Sequence, residues 1–204
     1  MGYGLAAKLA SGGIVASSPI TKATAEEYLA MDRAAEFRSE FLDGEIVAMS
    51  GGSMRHARLA GSLFGQFYLA LQGTECEAFT SDFRVRSSQM YVYPDVVVVC
   101  GKPVLADERQ DILVNPRVIV EVLSPSTEHY DRGLKFQNYR TIATLRDYIL
   151  VAQDQVRIEQ YSRAQANTWT LREYQNASET LLIESIGISV PIARIYDRIE
   201  FPSE

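Results

Sequence analysis

The chain has 204 residues, 47% of them hydrophobic and 23% charged, with a net charge of -6. This length and composition fit one globular domain with its own core. No apolar run is long enough to cross a bilayer, and the acidic balance argues against coating nucleic acid by bulk charge alone.

The first residues, MGYGLAAKLASGGIVASS, have apolar stretches too broken by Gly and Ser for a signal peptide. Residues 1–20 are therefore expected to be a flexible leader, residues 21–204 a single domain, and the protein cytoplasmic. Thr24 and Glu27 have capping-box spacing, which starts a short helix over TAEEYLAMD. Asp43-Gly44 between apolar flanks predicts a hairpin in EFLDGEIVAM. Leu59, Leu63, Phe64, Phe67 and Leu71 then recur at helical spacing up to Gly73. Gly61 and Gly65 inside that helix are expected to allow close packing on a sheet.

EAFTSDFRVRSS and MYVYPDVVVVC read as two strands around a Ser-rich turn, and PRVIVEVLS as a third. The VVVV run suggests a central strand covered on both faces. A helix is expected from about Thr127, then a meander of RDYILVAQ, QVRIEQYSR and TWTLREYQ, then a last short helix in SVPIARIYDRI. The order gives an α/β (α+β) fold, a mixed sheet flanked by helices with an N-terminal helix-hairpin extension. Cys76 and Cys100 are too few for a disulfide framework or a zinc cage, and are expected to be two small buried hydrophobes.

Two acids stand in apolar strands: Asp95 after Pro94, and Glu121 between Val120 and Val122. If the strands are neighbours, the carboxylates converge, repel each other and suffer from burial. A divalent cation relieves both, because Mg²⁺ takes oxygen ligands and commonly one or two carboxylates. Lys135, on the following helix, is the only lysine after Lys102. It could orient water or offset phosphate charge, and Tyr139 lies one turn further on. Each residue also has a plainer account. Asp95 could end a turn, Glu121 could join a structural ion pair, and Lys135 could pair with Asp131 on a helix surface at i,i+4. His56 shares a helical face with Leu59, Leu63 and Phe67, as a half-buried histidine or as a water or phosphate contact. Arg84 and Arg86 alternate on one strand face, where they could contact a phosphate backbone or simply face solvent. Asp82 and Glu45 are weaker candidates.

Pro94-Asp95, then Glu121-Val122-Leu123-Ser124-Pro125-Ser126-Thr127, then Asp131, Lys135 and Tyr139 form a pattern. It resembles the Uma (Uma two) family of endonucleases, within the PD-(D/E)XK restriction-endonuclease-like superfamily. The hairpin FLDGEIVAMSGGS and His56 also resemble that family's N-terminal pattern, so the likeness covers roughly residues 24–152. It implies a restriction-endonuclease-like core with its site at one sheet edge, Mg²⁺ or Mn²⁺, and hydrolysis of DNA phosphodiesters. It implies Asp95, Glu121 and the Val122 backbone carbonyl as metal ligands, with Lys135 catalytic. His56 is a further catalytic candidate, and Arg84, Arg86, Ser124 and Tyr139 are candidate substrate contacts. It also suggests a homodimer, for which the C-terminal strands offer a symmetric interface. One departure stands out. The superfamily expects lysine two residues after the second acid, where this chain has Leu123, so Lys135 must supply the amine. That gap and the net charge favour a second reading, a nuclease fold kept as a nucleic-acid or protein binding module; a third is a metal-dependent phosphohydrolase for small substrates.

Overall fold

Thr24 caps the first helix as its spacing predicts. In the computed structural model, which describes residues 22–49, 51–88 and 90–201, the Glu27 amide donates to Thr24 Oγ1 at 3.2 Å and the Thr24 amide to Glu27 Oε2 at 2.9 Å. The expected leader, residues 1–20, lies outside the described residues. Helix α1 covers Ala25–Ala34. Strands β1, Ser39–Leu42, and β2, Glu45–Ala48, form the hairpin. Asp43 and Gly44 turn it with φ of 46° and 87°, the paired positive values that match strand twist in a two-residue loop. Helix α2 covers Met54–Ala70 and buries Leu59, Leu63 and Phe67.

The two long strand segments each break in two. EAFTSDFRVRSS yields β3, Cys76–Thr80, and β4, Arg84–Arg86; MYVYPDVVVVC yields β5, Met90–Val92, and β6, Val96–Cys100. The physical reason is that the chain changes sheets in the middle of each segment. Strands β4 and β5 join a small sheet, ordered β2-β1-β5-β4-β7, where β7 is Ile112–Leu113. Strands β3 and β6 enter a larger one, and Pro94, which has no amide hydrogen to pair, marks one crossing. The alternation of a single sheet face could not show this division.

Strand β8, Val118–Val122, leads into one nearly continuous helical stretch. It runs through α3, Glu128–Tyr130, a π-helical turn, Asp131–Lys135, and α4, Phe136–Tyr139. Strands β9, Asp147–Val151, β10, Ile158–Gln165, and β11, Thr168–Tyr174, form the expected meander. The large sheet is ordered β11-β10-β9-β8-β6-β3. It is mixed, because β8 and β9, joined through the helical crossover, are parallel. At the C-terminus, β12, Thr180–Ile183, pairs with β13, Ile188–Pro191, before the short helix α5, Ile192–Ile195. Part of the segment expected to be helical is thus strand.

The valines of β6 explain the layering. Val96 and Val98 join Val118, Val120 and Val122 on one sheet face, against α2, β12, β13 and α5. Val97 and Val99 join Ile119 and Leu123 on the other, against α4 and the small sheet. Val96 to Val99 are all 0% exposed, and each such side chain contributes about 1.5–3 kcal/mol by leaving water. A strand with neighbours on both faces has no need of alternation, as its sequence suggested.

Gly61 and Gly65 do not serve close packing. A Cβ at either would meet nothing within 4 Å, so both face away from neighbouring atoms. The C-terminal apolar residues expected to form a symmetric interface lie largely inside the chain's own core. Leu181, Ile183, Ile188 and Val190 are buried there, leaving Leu171 and Leu182 exposed.

The cysteines are a correction. The β3–β6 register sets Cys76 opposite Cys100, and the two are joined as a disulfide rather than packed as free thiols. Register, invisible across a sequence separation of 24, brings them together. A thiol assay should therefore find no free thiol in the native chain before reduction. Cys100→Ser should lower unfolding stability by about 2–4 kcal/mol, read by urea titration. A native chain with two reactive thiols would contradict the bond.

Candidate active site

Glu121 and Asp95 come from adjacent strands. Val96 pairs with Val120 in antiparallel β6–β8, so one step further along the ladder Asp95 stands opposite Glu121. Asp95 Oδ2 accepts the Val122 amide at 2.8 Å, which ties the end of β6 to β8. Glu121 lies on the sheet face that the helical crossover covers. There its Oε1 accepts Lys135 Nζ at 3.1 Å and the Tyr139 hydroxyl at 2.8 Å. The sequence expectation that Asp95, Glu121 and Lys135 converge is thus met in geometry, with Tyr139 fixing Glu121 from full burial.

Lys135 is not on a helix surface. Its side chain is 7% exposed, and it lies 3.3 Å from Asp131 and 3.0 Å from Glu40 as well as beside Glu121. The i,i+4 pair with Asp131 is real but buried, because the π turn faces the sheet. Such turns insert an extra residue into a helix and often occur at functional sites. Glu40 was not singled out from the sequence. Its signal was the one that identified Glu121, an acid beside apolar Phe41 and Leu42, but in a hairpin alternation suggests a solvent-facing position. Strand β1 is buried throughout, while β2 stays partly exposed.

Charge in this cluster is unbalanced. Four carboxylates, Glu40, Asp95, Glu121 and Asp131, meet one ammonium and one imidazole. Burial pushes the Glu121 carboxyl well above its usual range, with Lys135 opposing and the neighbouring acids reinforcing the shift. Burial likewise raises Glu40, again against Lys135. For Lys135, burial acts downward, yet the carboxylates outweigh it and hold the amine protonated.

His56 enters from the first turn of α2. Its Nε2 is 3.4 Å from Asp95 Oδ2, and that contact is the main cause raising its pKa, against burial, with the Val122 carbonyl adding to the rise. The helix end is held by Ser53, whose Oγ accepts the His56 amide at 3.1 Å and bonds Gln153 Oε1 at 2.9 Å. Gly52 leaves room for the ring, because a Cβ there would stand 3.0 Å from His56 Nδ1.

Other expected contacts fall elsewhere. Arg84 is not on a solvated face. It is 4% exposed and donates to Asp32 Oδ2 at 2.7 Å and Asp111 Oδ2 at 3.0 Å, inside a network with Tyr93. With its guanidinium enclosed by those partners, it has no open side for a phosphate. Arg86, two residues on, is exposed. Ser124 accepts the Thr127 amide at 3.2 Å and shapes the turn into α3. Asp82 pairs with Arg38 on an exposed turn, and Glu45 is exposed on β2.

The donor chemistry fits a hard divalent cation. Among the described residues, Asp95 Oδ1 and Glu121 Oε2 accept no protein hydrogen bond, while their sister oxygens do. Two carboxylate oxygens with the Val122 carbonyl make an all-oxygen set suited to Mg²⁺ or Mn²⁺. No group of three or more His, Cys, Asp or Glu side chains among the described residues forms a protein-only metal cage. A cation with waters and substrate completing its shell needs none.

Comparison with known proteins shows the family and the fold. The Uma2 family model, "Putative restriction endonuclease", matches residues 25–193. Two Synechocystis sequences are similar along most of their length, both uncharacterised. The protein slr1290 is 38% identical over 91% of this chain and 97% of its own, and sll1609 is 38% identical over 78% and 90%. A crystal structure from Anabaena variabilis, of "a putative nuclease belonging to DUF820", has the same fold. Its TM-score is 0.71 at 17% identity, covering 87% of this chain and 98% of that one.

Proposed function

The chain belongs to the Uma2 family of restriction-endonuclease-like proteins, and from that premise we propose that it is a divalent-metal-dependent DNA endonuclease. The carrying observation is the charge imbalance: four carboxylates around one ammonium and one imidazole, with an open oxygen on each strand acid. Asp95 Oδ1, Glu121 Oε2 and the Val122 carbonyl would hold Mg²⁺ or Mn²⁺. When bound, such an ion lowers the pKa of a water and offsets charge on a phosphate.

The chain's own residues do the rest. Tyr139 and Lys135 fix the Glu121 rotamer from the buried side. Lys135, enclosed by Glu40, Glu121 and Asp131, keeps a positive charge behind Glu121 and would offset phosphate charge through space rather than by direct contact. His56, held against Asp95, can donate a proton or a hydrogen bond at the rim. Lys135 within contact of Glu121 supports the migrated-lysine reading over a fold kept for binding alone, because an amine from the helix reaches the second acid.

The test is plasmid cleavage with Mg²⁺ or Mn²⁺. The native chain should nick or linearise DNA. Asp95→Ala should reduce the rate by about 10³-fold or more, as loss of several kcal/mol of charge stabilisation implies. Equal cleavage by native and variant chains would refute the proposal.

A further inference from the structure

Apart from the acidic centre, the chain carries a basic pocket between α2 and α5. Its volume is about 370 Å³, and its lining is Arg58, Ser62, Gln66, Arg194, Asp197 and Arg198. At helical spacing Arg55, Arg58, Ser62 and Gln66 share one flank of α2. Arg55 lies in the first turn of α2, as His56 does, so the flank starts at the helix end that reaches the catalytic edge, on a neighbouring face, and runs toward α5. From Arg55 to Ser62 it covers about 10 Å along the helix axis, roughly the rise of three phosphates on one strand of a duplex.

The pocket is rigid where a phosphate would rest. The Ser62 hydroxyl donates to the Arg194 carbonyl at 2.8 Å, and Arg58 Nη1 donates to the Arg198 carbonyl at 3.2 Å. These bonds dock α5 and the following turn on α2 while leaving the other Arg58 nitrogens available. Among the described residues neither Arg58 nor Arg194 is in an ion pair. Arg198 meets only its neighbour Asp197, at 3.8 Å, with its side chain 88% exposed. Three guanidinium groups against one carboxylate give a local positive site in a chain whose net charge is -6.

We propose that this α2–α5 pocket binds backbone phosphates of the DNA strand that enters the catalytic edge. The proposal rests on the nuclease reading and extends it from the reacting phosphate to its neighbours. Arginine suits the task because its planar fork pairs with phosphate oxygens bidentately. The site positions DNA and reads no bases. It also explains how an acidic protein can hold a polyanion, through a local stripe rather than net charge.

The experiment uses the full chain carrying Asp95→Ala, so that DNA is bound and not consumed. Binding of a fluorescein-labelled duplex is followed by anisotropy across a salt series. Arg194→Ala and Arg194→Glu are compared with the parent, because this side chain is exposed and its removal breaks no fold contact; thermal melts confirm that the variants fold. Arg194→Ala should flatten the plot of log K against log salt by about 0.9, and Arg194→Glu should weaken binding further. Unchanged slope and affinity in both variants would overturn the pocket, while plasmid cleavage by the native chain would still uphold the nuclease. No duplex binding at all would overturn it as well. Inorganic phosphate is the second probe. Phosphate binding that depends on Arg194, beside duplex binding that does not, would make this a small-anion site and also sink the proposal.

Discussion

Lys135→Met is expected to destabilise the chain by about 3–5 kcal/mol near neutral pH, because it leaves buried carboxylates without their counter-charge. Glu40, Glu121 and Asp131 would share a pocket with no ammonium. The cost must depend on pH, and its sign follows from the carboxyl groups. Glu40 and Glu121 already sit above their usual range because of burial, and Lys135 is what restrains them. Without it their folded-state values rise further. A carboxyl raised on folding favours the folded state below its unfolded value, about 4.3 for Glu. That contribution is lost as pH climbs through the raised folded value. The deficit of Lys135→Met relative to the native chain should therefore be large near neutrality and shrink at about pH 5, measured by urea unfolding. An equal deficit at both pH values would mean that the lysine matters for packing and not for charge. Cleavage by the folded variant should fall by about 10²–10³-fold, the usual cost of removing one preorganised electrostatic group.

The second large effect belongs to a different cluster. Asp32→Asn should cost about 3–5 kcal/mol by leaving Arg84 buried without its main partner. Asp32 accepts Arg84 at 2.7 Å, the Tyr93 hydroxyl at 2.7 Å and the Ser39 amide at 2.7 Å. Burial alone would raise this carboxyl, but the bonds from Tyr93, Arg84 and Ser39 outweigh it and hold its pKa below normal. A carboxyl lowered on folding stabilises the protein above its unfolded value, near 3.9, and that contribution disappears as pH falls through the lower folded value. The native chain should thus lose stability in acid below about pH 4, and Asp32→Asn should lack that part of the acid limb. Urea midpoints from neutral to acid pH read this directly. A variant within about 1 kcal/mol of native at neutrality would refute the role assigned to the pair. Since this network ties α1 and the loop at Asp111 to β4, its loss should loosen the small sheet that presents Glu40.

The candidate site residues Asp95, Glu121 and Lys135 were legible as a set, and Glu121 most of all because it breaks its local pattern. An acid inside Val120-Glu121-Val122 has no reason to be there unless something answers it, and here Lys135 and Tyr139 do. The capping box, the Asp43-Gly44 turn and the β9–β11 meander were legible because they depend on near neighbours in sequence. What escaped depends on distant pairing. Glu40 drew no notice in a hairpin, where alternation suggests a solvent-facing position, and only the packing of the small sheet over the crossover buries it. Cys76 and Cys100 looked like separate hydrophobes until the β3–β6 register set them side by side. Arg84 looked like half of a solvated stripe, but the acids that enclose it come from α1 and from the loop at Asp111. Chain crossing between the two sheets was hidden for the same reason, since β3 and β4 are equally strand-like and differ only in their partners.

The central claim is that β6 and β8 deliver Asp95 and Glu121 to one divalent cation. A crystal soaked in Mn²⁺ tests it most directly through the anomalous signal. The account predicts one ion bounded by Asp95 Oδ1, Glu121 Oε2 and the Val122 carbonyl, and its absence from an Asp95→Ala crystal treated identically. A soaked native crystal with no ion between those two carboxylates, at a Mn²⁺ concentration that supports cleavage, would contradict it.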